Sequence, residues 1–267
     1  MKIPSYSSNQ YLQSFDESIE GYSLPLYFNN PFEYEPHPLC ILAAQQLQNY
    51  LRTQTEWNHN FGITAEQEGQ VIGKMFGVLV VKTQQNKVGF LAAFSGKLAG
   101  ANEHSKFVPA VYDALTENSF LNIGMTELNA INLEIKALET DELSENSEQI
   151  NTLRQFRKQH SIGLQNKLFD HYTFLNIAGE EMNLRSIFKS YNNTNPPAGA
   201  GECAAPKLLH YAFQQDMQPL AMAEFWWGLS PKSEHWKHGH FYPACQQKCA
   251  PILSHMLKGI VFDEKQT

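Results

Sequence analysis

The chain has 267 residues, 42% hydrophobic and 18% charged, enough to bury one large core or two smaller ones. A formal charge of −7 and a pI near 5.8 exclude a nucleic-acid footprint spread over the whole surface, so any RNA contact must be local. The first twenty residues are polar and lack a basic-then-apolar leader, and no apolar run reaches the roughly 18 residues needed to cross a bilayer. With four cysteines, most of them clustered, the composition predicts a cytoplasmic protein with a metal or thiol site and no membrane partner.

Residues 1–36 alternate polar and aromatic residues with turn formers and read as an arm, anchored by Tyr27-Phe28 and Phe32/Tyr34. His37-Pro38 opens a helix whose apolar face carries Leu39, Ile41, Leu42, Leu47, Tyr50 and Leu51, with Cys40 as a buried small residue. Met75–Val81 and Val88–Phe94 are apolar runs flanking Gln84-Gln85-Asn86-Lys87, which predicts a β-hairpin. Gly73-Lys and Gly96-Lys at its ends lack the spacing of a phosphate loop.

From Thr126 to about Lys189 the period becomes helical: Leu128, Ile131, Ile135 and Leu138, then Ile150, Leu153, Leu164 and Leu168 after the acidic stretch Glu139–Glu148. The register break predicts a helical hairpin or a long helix interrupted once, coiled-coil-like in pattern. Its second half carries Arg154, Arg157, Lys158, His160 and Lys167. These read either as a solvated face or, for Arg154, Arg157, Lys158 and Lys167, as a local stripe for RNA.

Asn192-Asn-Thr-Asn-Pro-Pro breaks regular structure and leads into residues 195–257, where three of the four cysteines fall. Pro196-Pro-Ala-Gly-Ala-Gly delivers Cys203 to the start of an apolar helix (Leu208, Leu209, Ala212, Phe213). Pro219–Trp227 is an apolar strand, and Pro243-Ala-Cys245 opens a second helix containing Cys249. Two helix starts flanking one strand place Cys203, Cys245 and Cys249 together, where the partial positive charge of helix N-termini favours thiolates. Three readings stay open: a structural zinc with His238 or His240 as fourth ligand, a catalytic zinc with an open position, or three small residues at crowded helix starts. His238-Gly-His240 could equally be a polar loop, and Trp226-Trp227 either packs or stacks on a base.

Two family resemblances follow from these residues. The strings Glu35-Pro-His-Pro-Leu-Cys, Gly73-Lys-Met-Phe-Gly-Val-Leu-Val-Val, Leu91-Ala-Ala-Phe-Ser-Gly-Lys-Leu, Gly199-Ala-Gly-Glu-Cys-Ala-Ala-Pro-Lys-Leu-Leu, Met222-Ala-Glu-Phe-Trp-Trp-Gly and Phe241-Tyr-Pro-Ala-Cys resemble the long N-terminal extension of a subset of RluA-type RNA pseudouridine synthases. Those enzymes act through an aspartate in a His-Arg-Leu-Asp-type segment, and no Arg-Leu-Asp occurs here. The resemblance therefore implies an accessory module that binds ribosomal or transfer RNA, or the synthase catalytic domain itself, and does not isomerise uridine alone. A stand-alone relative, a split gene and a truncated product all fit it.

The order helix, hairpin, Cys-led helix, strand, and helix opening at Pro-x-Cys-x₃-Cys is also similar to that of zinc-dependent nucleobase deaminases. In that family a glutamate two residues after the first ligand shuttles protons; here that position is Ala205, and the second cysteine pair is spaced x₃ rather than x₂. Glu202 and Glu224 are the candidate substitutes, and a protein-interaction module without catalysis is the third reading. The expected architecture is α/β: a small mixed sheet with flanking helices in a deaminase-like layer (37–125 and 191–262), a long helical insertion (126–190), and the arm (1–36).

Overall fold

The structure, a computed structural model, describes residues 10–33, 35–64, 68–113, 119–140 and 146–262. Tyr34 of the arm, its first nine residues, and residues 141–145 of the acidic stretch lie outside them. The elements are, in order, α1 (Pro38–Thr53), β1 (Lys74–Lys82), β2 (Val88–Phe94), α2 (Phe120–Thr140), α3 (Ser147–His171), β3 (Thr173–Leu175), β4 (Glu181–Asn183), α4 (Leu184–Asn192), α5 (Ala204–Gln214), β5 (Gln218–Trp227), β6 (Phe241–Tyr242) and α6 (Cys249–Met256). They fall into two compact units: residues 1–111 with 173–267, and residues 112–172.

In the first unit α1 begins where proline fixes φ at the first helical turn and the His37 ring accepts the Leu39 N–H at 3.2 Å. Its buried stripe, Leu39, Ala43, Leu47 and Leu51, packs on one face of the sheet with Val78, Val80, Phe225 and Trp227. β1 and β2 pair antiparallel from Phe76↔Phe94 to Lys82↔Val88. The turn closes through Thr83 N–H to Lys87 O (2.9 Å) with Asn86 at φ 60°, a left-handed conformation that asparagine tolerates.

The four-stranded sheet runs β2-β1-β5-β6, and every pairing in it is antiparallel. This corrects the expected mixed sheet. A second, two-stranded antiparallel sheet joins β3 and β4. Residues 173–190, read from the sequence as the tail of the insertion, supply β3, β4 and the first part of α4 in the first unit.

α5 covers the other face of the sheet, and Gly77 sets how closely. A Cβ at Gly77 would lie 3.0 Å from both Ala204 Cβ and Leu208 Cδ1, and Gly77 pairs across β1/β5 with Glu224. The missing side chain lets the first turn of α5 settle onto the sheet beside Glu224.

The second unit is an antiparallel pairing of α2 with α3. Gly124 makes room for Leu164, which would otherwise meet a Cβ at 2.4 Å, and Leu128 and Ile135 line the buried side of α2. Glu139 accepts from Arg154 at 2.7 Å, and Glu127 Oε2 lies 2.8 Å from His160 Nε2 across the pair. Among the described residues no helix is long and apolar enough to cross a membrane.

Candidate metal centre

The chain brings its three clustered cysteines to one point. Cys203 is the N-cap residue of α5, and its loop is tied to the end of β2 by Gly96 N–H to Glu202 O (2.8 Å) and Ala204 N–H to Ser95 Oγ (3.1 Å). Cys245 and Cys249 arrive from the other side, but not on one helical turn as the sequence suggested. α6 begins only at Cys249, and residues 246–248 form a turn in which Cys245 O accepts the N–H groups of Cys249 and Ala250, both at 3.2 Å. Prolines at 243 and 251 bracket that turn. The result still sets Cys245 Sγ 3.4 Å from Cys249 Sγ, and all three sulfurs lie within 4.8 Å of one another.

Sulfurs around a tetrahedral zinc at about 2.3 Å stand roughly 3.8 Å apart. The 3.4 Å Cys245–Cys249 spacing and the 4.8 Å limit on all three bracket that figure, so the donor set is compatible with such an ion. The thiols are interdependent. Hydrogen bonds from Cys203 and Cys249 hold the Cys245 thiol far below the usual thiol range, while that same sharing raises Cys203 and Cys249. This sharing favours the thiolate form at Cys245. Cys249 is buried, Cys203 half-buried and Cys245 the most exposed of the three, so the cluster sits close to the protein surface. Cys40, as expected, is a fully buried small side chain whose thiol is pushed far up by burial.

Glu224 is the group that completes the arrangement. It is fully buried on β5, and its Oε1 accepts the backbone N–H of Ala205 at 3.2 Å. Burial first, and then the neighbouring Cys245 charge, push its carboxyl up to about 7, against the lowering effect of the Ala205 hydrogen bond. Its hydrogen bond to Ala205, two residues from Cys203, sets the carboxylate near the sulfur cluster, and its charge raises Cys203 and Cys249. Beside it is a cavity of about 10 Å³, room for one water, walled by Asn29, Pro31 and Tyr242. The arm closes that side: the Asn29 side-chain amide pairs with Met222 through two hydrogen bonds (2.7 and 2.9 Å), and Pro31 O accepts from Ala244 N at 2.8 Å. Glu202, the other sequence candidate, instead exerts its charge on Lys74 and Lys207.

Lys207 carries no signal in the linear motif beyond being a lysine on an apolar helix face. It is 3% exposed, and its ammonium donates to Phe94 O (2.9 Å) and Gly96 O (3.2 Å). Burial lowers it to about 8, opposed by the charges of Glu202 and Cys203. It offers positive charge behind a cluster that becomes net negative when three thiolates bind a divalent ion. His210, one turn further along α5, is lowered to about 4 by burial and accepts the Leu175 N–H at 3.3 Å, a structural tie to β3.

The structure keeps the histidines out of the cluster. His238 Nδ1 accepts the Gly228 N–H at 2.9 Å and its ring lies 4.3 Å from that of Trp227. His240 serves through its backbone, with its carbonyl accepting from Trp226 N at 2.9 Å. Trp227 is fully buried and Trp226 stacks on Trp236 at 5.2 Å, so both tryptophans pack within the protein. Of the four basic residues on α3, Arg154 is paired with Glu139 and Lys167 lies 4.6 Å over the Phe120 ring, leaving Arg157 and Lys158 exposed.

Comparison of the chain with protein-family models, with curated proteins and with solved structures finds no match.

Proposed function

We propose that the first unit is a zinc-dependent, deaminase-like hydrolase in which Cys203, Cys245 and Cys249 would hold the ion and Glu224 handles protons. The observation that carries this reading is the Ala205 N–H···Glu224 hydrogen bond. At the helix position where the resemblance expects a glutamate, the chain has alanine, and the carboxylate beside that alanine comes from β5 instead. A zinc held by these three cysteines would supply Lewis acidity there. Glu224 then needs a proton affinity near neutrality to take up a proton and return it to a leaving amine, and its burial supplies that. Ala205 fixes one carboxylate oxygen, leaving the other to exchange the proton. Lys207 offsets the charge of the thiolates. Because the cavity under the arm holds only one water, an organic substrate enters from the side on which Cys245 is exposed.

The test combines elemental analysis with an ammonia-release assay. Protein purified without added metal is expected to contain one zinc per chain and to release ammonia from a panel of free amino-substituted nucleobases and nucleosides. Less than half a zinc, or full zinc with no ammonia from any panel member, overturns the hydrolase reading.

The exposed Arg157 and Lys158 on α3 favour a second reading, compatible with the first and with the resemblance to the synthase extension: an RNA-binding accessory module. Two phosphate contacts give a log–log salt slope of only about −1.4 on single-stranded RNA. Changing both residues to Glu is expected to abolish binding to a ribosomal RNA fragment, and salt-independent binding that survives the change excludes the stripe.

A further inference from the structure

On the α1 face of the same sheet lies a cavity of about 340 Å³ that the proposed chemistry does not use. Its walls include Leu51 and Arg52 from the end of α1, Trp57 and Phe61 from the segment that follows, and His238 from the β5–β6 connection. The volume is in the range of small-molecule sites. Four features give it a sign. Among the described residues none of its walls is Asp or Glu, on a chain whose formal charge is −7. Among the described residues no carboxylate pairs with Arg52; its guanidinium donates to Asn49 Oδ1 at 2.9 Å and lies 5.0 Å over the Trp227 ring, which fixes its direction. His238 accepts the Gly228 N–H at Nδ1, so in the neutral ring Nε2 carries the proton and is the donor left over. Behind both sits Trp227, fully buried, with an indole N–H that has no hydrogen-bond partner among the described residues.

Both donors belong to exposed residues, and the surrounding backbone fixes their place. Gly228, at φ +99°, turns the chain so tightly that a Cβ there would lie 2.7 Å from Phe61 O, and its N–H is what aims His238. The wall opposite is held just as firmly: Gln54 Oε1 accepts from Glu56 N (2.9 Å) and Trp57 N (3.2 Å), and the Trp57 ring meets Phe61 edge-on at 6.2 Å. Burial and the charge of Arg52 hold His238 below its ordinary pKa, which favours the neutral ring, and the Gly228 hydrogen bond to Nδ1 sets its Nε2–H tautomer. A guanidinium, an imidazole N–H and two aromatic walls, beside the neutral polar groups of Gln54, Asn58 and Thr64, form a pocket with a positive and no negative side chain among the described residues.

We propose that this cavity binds a small organic oxyanion, a carboxylate or phosphate ester on a flat apolar body, with Arg52 and His238 gripping the anionic group and Trp57 and Phe61 flanking the body. Arg52 can offer a carboxylate or phosphate two parallel N–H groups, the arrangement in which arginine binds them best. The site is independent of the cysteine cluster and of any metal there.

Calorimetric titration of the full chain with benzoate, phenyl phosphate and neutral benzamide tests it. One equivalent of benzoate or of phenyl phosphate is expected to bind, and benzamide at least tenfold more weakly; whichever anion binds more tightly identifies the head group. Arg52→Gln is expected to weaken the anion at least tenfold and Arg52→Lys less, with the melting temperature of both variants within a few degrees of wild type. His238→Gln, which keeps a donor amide, is expected to fall between wild type and Arg52→Gln. Benzamide binding as tightly as the anions, undiminished anion binding by Arg52→Gln, or no binding of either anion at 10 mM overturns the proposal.

Discussion

Cys245→Ser is expected to destabilise the first unit far more than its position warrants. Cys245 is exposed, and a substitution on the surface away from any special feature changes stability by about 0.5 kcal/mol or less. Three unconnected thiols would give that result. A zinc held by Cys203, Cys245 and Cys249 adds its binding free energy to folding, because the unfolded chain does not assemble the site. Loss of one ligand of three is then expected to cost on the order of 5 kcal/mol, or about 10–20 °C in melting temperature for a unit of this size. Cys249→Ser is the less decisive variant, since a hydroxyl in that buried position costs about 1–3 kcal/mol with or without a metal. The measurement is thermal unfolding with and without a strong chelator. Wild type should shift down with chelator to meet Cys245→Ser, and Cys245→Ser should not respond. A wild type indifferent to the chelator, with Cys245→Ser melting alongside it, leaves three thiols and no centre.

Much of the framework of this centre was legible in the sequence, and the reasons it was only partly so are physical. α1 and the β1–β2 hairpin announce themselves through a capped apolar stripe and two apolar runs around a turn. The meeting of Cys203 with Cys245 and Cys249 followed from two proline-marked helix starts flanking one strand. The antiparallel pairing of β5 with β1 did not follow, because a strand's direction is set by the path of the chain between elements and leaves no mark on its own residues. β3, β4 and β6, of two or three residues each, are too short for a period to show. His238 and His240 looked like metal ligands because they are near Cys245 in sequence. The chain reverses at Gly239 (φ +76°), whose N–H bonds to Trp226 O at 2.7 Å, and that turn sends His238 toward Trp227 and Arg52. Glu224 was a candidate without a geometry. Its pairing with Ala205, 19 residues away, depends on how deeply α5 settles over Gly77, a tertiary distance that no linear motif encodes.

Glu224→Gln is the variant with the largest expected effect on chemistry, and it separates a proton-handling carboxylate from a structural one. The amide keeps an oxygen to accept the Ala205 N–H and occupies the same volume, so the fold and zinc content should be retained. Ammonia release should fall by roughly 10²–10⁴, the usual contribution of general acid–base catalysis. Glu202→Gln, whose carboxylate faces Lys74 and Lys207 instead, should keep most of the activity. Stability gives a second readout with a definite sign. The Glu224 carboxyl is raised from 4.5 to about 7, so between those values the native state holds a proton that the unfolded chain has released. Its contribution is fully present below pH 4.5 and is lost as pH rises through 7. In metal-free protein Glu224→Gln should therefore match wild type at pH 4.5 and be more stable at pH 8, by up to about 3 kcal/mol at 1.36 kcal/mol per pKa unit. If Glu224 were an ordinary ionised side chain anchoring α5, its loss would destabilise the protein at pH 8 and leave the rate untouched. Urea unfolding of the two metal-free proteins at both pH values distinguishes these outcomes, because only the buried, protonatable carboxylate makes the variant the more stable protein in base.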